Sequence, residues 1–259
     1  MSTGTMHLTI LGNGPVSPNP GGACSGYLVQ SAGASLLLDC GTGVAATPAL
    51  KAALPSLDAV LLSHLHIDHW IDLVPLAYEL KYAPHTPRRE PLAVWVPPGS
   101  KQTFLDLCRA LTLGSHHAEE VFRVREYEEG SSLNISDATV SFRLVEHFVP
   151  AYSMRVEAGG RSLVYSGDST ACEALTALAD EADLFLCEAT DPIDKHLGKP
   201  RGHMNALEAG QIAARARVRQ LLLTHMWHHY DSGVLLRAAE STYPGPCALA
   251  EQGRSYEVS

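Results

Sequence analysis

The stretch Ser63-His64-Leu65-His66-Ile67-Asp68-His69-Trp70 limits this chain more than any other, because it sets three histidines and a carboxylate within six residues. It follows the apolar run Asp58-Ala59-Val60-Leu61-Leu62, which reads as a buried strand feeding a loop. His64 and His66 lie two apart, so an extended loop projects both imidazoles the same way. Asp68 and His69 fall where the chain turns into a helix. Packing these groups together with nothing between them would crowd polar atoms at a strand end. The spacing points to two divalent metal ions, with His64 and His66 on the first and Asp68 and His69 on the second. Neutral imidazole and carboxylate suit zinc and also admit manganese or iron.

Three later residues sit where a strand-like run meets a small or polar turn. His147 follows Val140 to Val145, Asp168 lies in Ser166-Gly167-Asp168-Ser169 after Ser162 to Tyr165, and His225 ends Gln220 to Thr224. The expected partition gives His64, His66 and His147 to one ion and Asp68, His69 and His225 to the other, with Asp168 bridging. Asp39, at the end of Ser35-Leu36-Leu37-Leu38-Asp39, fits a carboxylate that orients a ligating imidazole from behind.

The 259 residues are enough for one large domain or two small ones, and 46% hydrophobic with 18% charged residues describes an ordinary globular chain. A net charge of -9 disfavours a broad nucleic-acid surface. The six cysteines form no C-x-x-C pair, so neither a zinc ribbon nor a disulfide framework is indicated. No apolar run approaches the roughly 18 residues of a membrane span and no signal-peptide pattern opens the chain, so a cytoplasmic setting is expected.

Hairpins are expected around Ala32-Gly33-Ala34 and Ala158-Gly159-Gly160. Trp70, Leu73, Val74, Ala77 and Leu80 mark one amphipathic helix, and Phe104, Leu107, Cys108 and Leu111 another. Residues 121–127 and 140–145 read as strands joined by an acidic turn, and His116-His117 as a surface loop. Asn205-Ala206-Leu207-Glu208 has the form of a helix start. Two echoes suggest related halves: residues 59–64 with 220–225, and residues 35–39 with 162–165. The loop from Asn13 to Gly26 and the segment 85–90, with Arg88 and Arg89, are expected to shape a pocket.

The ordered set SHLHIDH, EH at 147, SGD at 168 and LTH at 225 resembles the metallo-β-lactamase superfamily across essentially the whole chain. LGNGPVSP…CSGYLV, LLLDCGTG and RGHMNALEAG look more narrowly like its ribonuclease Z-like branch, and within it the small bacterial metallohydrolases. The resemblance implies an α+β fold, a four-layer αββα sandwich over residues 1–259 as one domain, with a dinuclear site between the sheets. It implies catalytic work for Asp68, Asp168 and His203, the last near the scissile phosphate, although Met-Asn stands here where ribonuclease Z has Ser-Thr. Only residues 148–167 separate His147 from Asp168, which leaves no room for the arm that grips tRNA in ribonuclease Z. The expectation is therefore a dinuclear-metal hydrolase of a small or cyclic phosphodiester, acting through hydroxide, with no tRNA or membrane partner and with homodimers common in the branch. The alternatives are hydrolysis of a carboxylic ester, lactone or thioester, a metal-binding regulator without turnover, and an RNA nuclease.

Overall fold

Several strands of this chain carry apolar residues on both faces, and the computed structural model, which describes residues 5–84, 90–193 and 201–259, accounts for this by burying both faces. In β3 (Ser35–Leu38) and β4 (Ala59–Leu61), Leu36, Leu38, Ala59 and Leu61 point into one core while Leu37 and Val60 point into another. The same split occurs in β10 (Arg161–Tyr165) and β11 (Leu184–Glu188). There Leu163, Leu184 and Leu186 join the first of these cores, and Val164, Phe185 and Cys187 enter a third.

These cores define four layers. The central one lies between two seven-stranded sheets. The first sheet adds β1 (Met6–Gly12), β2 (Gly26–Gln30), β5 (Leu92–Val96), β6 (Phe122–Glu126) and β14 (Ser255–Val258), in the order β14-β1-β2-β3-β4-β5-β6. The second adds β7 (Ser132–Ile135), β8 (Ala138–Val145), β9 (Ala151–Ala158), β12 (Leu221–Thr224) and β13 (Cys247–Leu249), in the order β13-β12-β11-β10-β9-β8-β7. Outside the first sheet lie α1 (Pro48–Ala53), α2 (Leu73–Tyr82), α3 (Lys101–Leu111) and α4 (His117–Val121). Outside the second lie α5 (Glu173–Leu178), α6 (Ala206–Arg215) and α7 (Ser232–Glu240). The expected α+β αββα sandwich is what the chain forms. Among the described residues no helix is long and apolar enough to cross a membrane.

The two halves are topological copies. The pairings β1-β2-β3 and β8-β9-β10 are antiparallel, and those of β3-β4-β5-β6 and β10-β11-β12-β13 are parallel. Local bonds repeat as well. Asp58 Oδ2 accepts from the Ser35 amide at 2.8 Å, and Asp183 Oδ2 from the Ser162 amide at 2.8 Å. The counterpart of β4 is therefore β11, not the β12 segment whose sequence echoes it. The echo between residues 35–39 and 162–165 is the structural one.

Other details differ from the sequence expectation. A 3-10 turn at Ile67–His69 precedes α2, which starts at Leu73. Helix α3 buries Phe104, Leu105 and Cys108, while Leu107 and Leu111 stay largely exposed, because they lie round the helix from the face that meets the sheet. The segment between β6 and β8 holds β7, which joins the opposite sheet, so it is more than a turn. Helix α7, which sequence reasoning did not single out, buries Leu235 and Ala239. His117 opens α4 and packs between the rings of Tyr78 and Tyr82, at centroid distances of 4.8 and 5.2 Å.

The start of α6 is a capping box: Asn205 Oδ1 accepts from the Glu208 amide and Glu208 Oε2 from the Asn205 amide, both at 3.0 Å. Asn205→Ala is expected to destabilise the protein by about 1 kcal/mol. In urea unfolding this lowers the midpoint at constant slope; an unchanged midpoint would show that the box contributes nothing.

Candidate metal centre

Parallel strands carry the functional side chains to one edge of the sandwich, where β3, β4, β10, β11 and β12 all end. From the end of β4 the chain runs through Ser63 and His64 into the 3-10 turn, which buries Asp68 and His69. The loop after β3 is tied to this turn: the Cys40 amide donates to His69 O at 2.7 Å and the Asp72 amide to Cys40 O at 3.1 Å. The approach is so close that a Cβ at Gly41 would lie 1.8 Å from Asp68 O, so only glycine fits there. Asp39 and His225 both adopt left-handed φ values, 58° and 56°. Non-glycine residues hold that conformation where surrounding contacts compel it, commonly at functional sites.

All seven residues expected as ligands converge, in two groups that share Asp168. In the first, His66 Nδ1 lies 3.0 Å from both His64 Nε2 and His147 Nε2, with Asp168 Oδ2 at 3.7 and 3.9 Å from those two nitrogens. In the second, His69 Nε2 lies 3.3 Å from Asp68 Oδ2 and 3.2 Å from Asp168 Oδ2. His225 Nε2 lies 3.2 Å from Asp68 Oδ2 and 3.6 Å from Asp168 Oδ1. A tetrahedral site with bonds of about 2.0–2.1 Å has edges of about 3.3–3.4 Å, and these separations bracket that figure. His69 Nε2 and Asp168 Oδ1 are buried without a hydrogen-bond partner among the described residues. The donor set, its spacing and these orphaned atoms fit divalent cations.

The outer contacts decide which ring nitrogen faces inward. Asp39, fully buried, accepts four hydrogen bonds: from the Ser63 amide (2.7 Å), Ser63 Oγ (2.7 Å), Tyr165 OH (2.8 Å) and His69 Nδ1 (2.8 Å). Because the Ser63 hydroxyl proton goes to Asp39, His64 Nδ1, 3.0 Å from Ser63 Oγ, must be the donor there. His147 Nδ1 donates to Gly202 O at 2.6 Å. Thr190 Oγ1 donates to His225 O and accepts from His225 Nδ1, at 2.8 and 2.7 Å. Four imidazoles thus carry a proton on Nδ1 and turn Nε2 to the centre. Asp39 lies behind the His69 ring, on the side away from the centre.

Electrostatics follow this arrangement. Burial, reinforced by the neighbouring His69, holds His64 well below the usual imidazole range, and burial lowers His66 and His147 as well. All three are then neutral, the form in which an imidazole can ligate a metal. Burial also opposes a charge on His69, but Asp168, Asp39 and Asp68 outweigh it and raise that imidazole. Burial alone would raise Asp68 and Asp168; the adjacent His69 and His225 overcome it and keep both carboxyls well below their usual range.

His203 stands beside the centre with Nδ1 3.0 Å from Glu188 Oε1 and 3.9 Å from Asp168 Oδ2. Burial works against its charge, yet the fully buried Glu188 beside it pushes it up to about 9. Glu188 is fixed in turn by the Ser169 amide, 2.7 Å from Oε1. Arg201 grips Glu208 with two bonds, at 2.9 and 2.7 Å, and also donates to Asp191 and to His203 O. Sequence reasoning singled out none of Glu188, Thr190, Asp191 and Arg201. Glu188 had a usable signal, as a carboxylate ending an apolar strand in the manner of Asp39. A cavity of about 500 Å³ opens onto this centre, lined by Asp68, Asp168, Asp191, His203 and His225 and by the apolar Pro15, Val16, Leu65, Ile67 and Trp227. The Asn13–Gly26 loop does contribute to it. Arg88 and Arg89 lie outside the described residues.

Residues 34–226 match the family model described as beta-lactamase superfamily domain. The chain is 31% identical to the probable metallo-hydrolase YhfI of Bacillus subtilis (strain 168), over 97% of this chain and 100% of that one. It is 32% identical to a ribonuclease Z of Mycolicibacterium paratuberculosis (strain ATCC BAA-968 / K-10), over 85% of each. The crystal structure of the metallo-beta-lactamase fold protein YhfI from Bacillus subtilis superposes with a TM-score of 0.85 at 30% identity, covering 97% of this chain and 99% of that chain.

Asp39→Asn places an amide where His69 and Ser63 both donate. Zinc affinity is expected to fall about 10- to 100-fold, read by competition with a chromogenic chelator. Unchanged affinity would mean that Asp39 does not orient His69.

Proposed function

The chain belongs to the beta-lactamase superfamily, and from that premise we propose that it is a metal-dependent hydrolase of a small or cyclic phosphodiester. The observation that carries this reading is the Glu188–His203 pair, which holds an imidazole beside Asp168 at the mouth of the centre. With Nδ1 committed to Glu188, His203 offers Nε2–H to the substrate. An alkoxide leaving a phosphodiester needs such a donor. A relative named ribonuclease Z, whose substrate RNA is a phosphodiester, adds support.

In this reading His64, His66 and His147 would hold one divalent ion and Asp68, His69 and His225 a second, with Asp168 available to both. Zinc suits these nitrogen and oxygen donors best. When bound, such ions lower the pKa of water and neutralise charge on a phosphoryl oxygen. Asp68 and Asp168 orient the attacking water. Its oxygen forms a bond to phosphorus as it loses a proton. The bond from phosphorus to the leaving oxygen breaks with its electron pair, and His203 Nε2 delivers a proton to that oxygen. The products are a phosphomonoester and an alcohol, and the imidazole is reprotonated from the water. A 500 Å³ cavity and a net charge of -9 favour a small substrate over tRNA. The apolar side of the cavity also suits an acyl group, which keeps carboxylic ester, lactone or thioester hydrolysis as the second reading.

Zinc-loaded protein is expected to cleave bis(p-nitrophenyl) phosphate faster than p-nitrophenyl acetate, with turnover lost on chelation and in Asp168→Ala. Ester cleavage with an inert diester would move the assignment to the second reading. His203→Ala is expected to retain its metal and lose about 100- to 10,000-fold in kcat on a cyclic phosphodiester, whose leaving group is an alkoxide. It should lose far less on nitrophenyl substrates, whose leaving group needs no proton. Equal losses on both would contradict the proton-donor role.

A further inference from the structure

The apolar side of the cavity plays no part in the chemistry above. Val16 and Ile67 are 53% and 55% exposed, and Trp227 is half-buried. Ile67 stands between two candidate ligands, His66 and Asp68, and yet directs a branched hydrocarbon toward water. Single exposed apolar residues are ordinary. Here Pro15 and Val16, Leu65 and Ile67, and Trp227 come from three separate segments and line one cavity over the carboxylates and imidazoles. Apolar surface held in water next to a polar cluster is the usual composition of a ligand site.

The wall is also fixed in place. Asn19 Nδ2 donates to Met226 O at 2.9 Å, and Asn19 Oδ1 accepts from the His228 amide at 3.0 Å, so one side chain clasps the residues on either side of Trp227. The Met226 amide donates to Asn13 O at 3.2 Å, and Cys24 Sγ donates to Pro15 O at 3.0 Å. These bonds tie the 13–24 loop to the 226–228 segment and order the wall before any ligand arrives, which reduces the entropic cost of binding. Thr190 and Asp191, which also line the cavity, are polar.

We infer that Val16, Ile67 and Trp227 form a subsite for an apolar, ring-sized group attached to the phosphorus centre of the substrate, with Asn19 positioning the wall. The inference rests on the phosphodiesterase reading for the identity of the anion. The subsite selects substrates by the group that accompanies the phosphate, and the polar cluster supplies binding of the phosphate itself.

Calorimetric titration of the zinc-loaded protein with phenylphosphonate and methylphosphonate tests this without turnover. Phenylphosphonate is expected to bind roughly tenfold more tightly or better, since its ring leaves water. The ratio of the two Kd values should fall toward one in Trp227→Ala and, independently, in Val16→Ser, whose exposed position spares folding. Leu113→Ala, at a fully exposed site outside the cavity lining, should leave the ratio unchanged. Equal affinities in the wild type, no measurable binding of phenylphosphonate, or a ratio preserved in both variants would overturn the subsite. An intact ratio in a protein that cleaves carboxylic esters but no diester would overturn the phosphodiesterase reading alone.

Discussion

Burial of unpaired lone pairs and carboxylates is the constraint on which the rest of this molecule depends. His64 Nε2 and His147 Nε2 each lie 3.0 Å from His66 Nδ1, and two carboxylates lie within 3.2–3.9 Å of the surrounding rings. In a poorly polarisable interior such groups are tolerated only when something positive stands among them. Each nearby feature serves to hold the donors inward despite that cost. Asp39 uses four hydrogen bonds to hold His69 and Ser63, and Ser63 in turn fixes the tautomer of His64. Gly41 lets the Asp39 loop lie against the turn that carries Asp68.

The sandwich makes this possible because its two halves repeat one topology with their strand ends at a common edge. The half from β1 to β6 contributes Asp39, His64, His66, Asp68 and His69. The half from β8 to β13 contributes His147, Asp168, Glu188 and His225, with His203 on the segment leading into α6. Ligands collect where strands end, as they do at the carboxyl ends of strands in other α/β sheets. Packing between the sheets fixes the distance between the two contributions, so the geometry of the centre is a property of the whole core rather than of any loop.

Much of this was legible in the chain. Ligand-type residues at or just beyond the ends of apolar runs picked out all seven residues that converge here, because strand ends are readable from hydrophobicity and the residue types are rare in such places. Asp39 was legible for the same reason. Glu188 was not singled out, since a lone glutamate closing a strand looks like an ordinary solvated end; its burial and its bond to His203 come from tertiary packing. The four-residue β7 left too little periodicity to read, and α7 was not singled out although Leu235 and Ala239 share one face. The inner face of α3 was misjudged because Leu107 and Leu111 fit the helical spacing but lie off the face that meets the sheet. The resemblance of residues 59–64 to 220–225 misled because both are buried parallel strands, and any two such strands share composition.

The separation of the centre into two groups joined by Asp168 is tested most directly by counting metal. Elemental analysis of zinc-loaded, gel-filtered protein is expected to give two ions per chain in the wild type. His147→Ala and His225→Ala should each retain one, because each removes a donor from a different group. A single ion in the wild type, or two ions in either variant, would contradict the assignment of these residues to two sites.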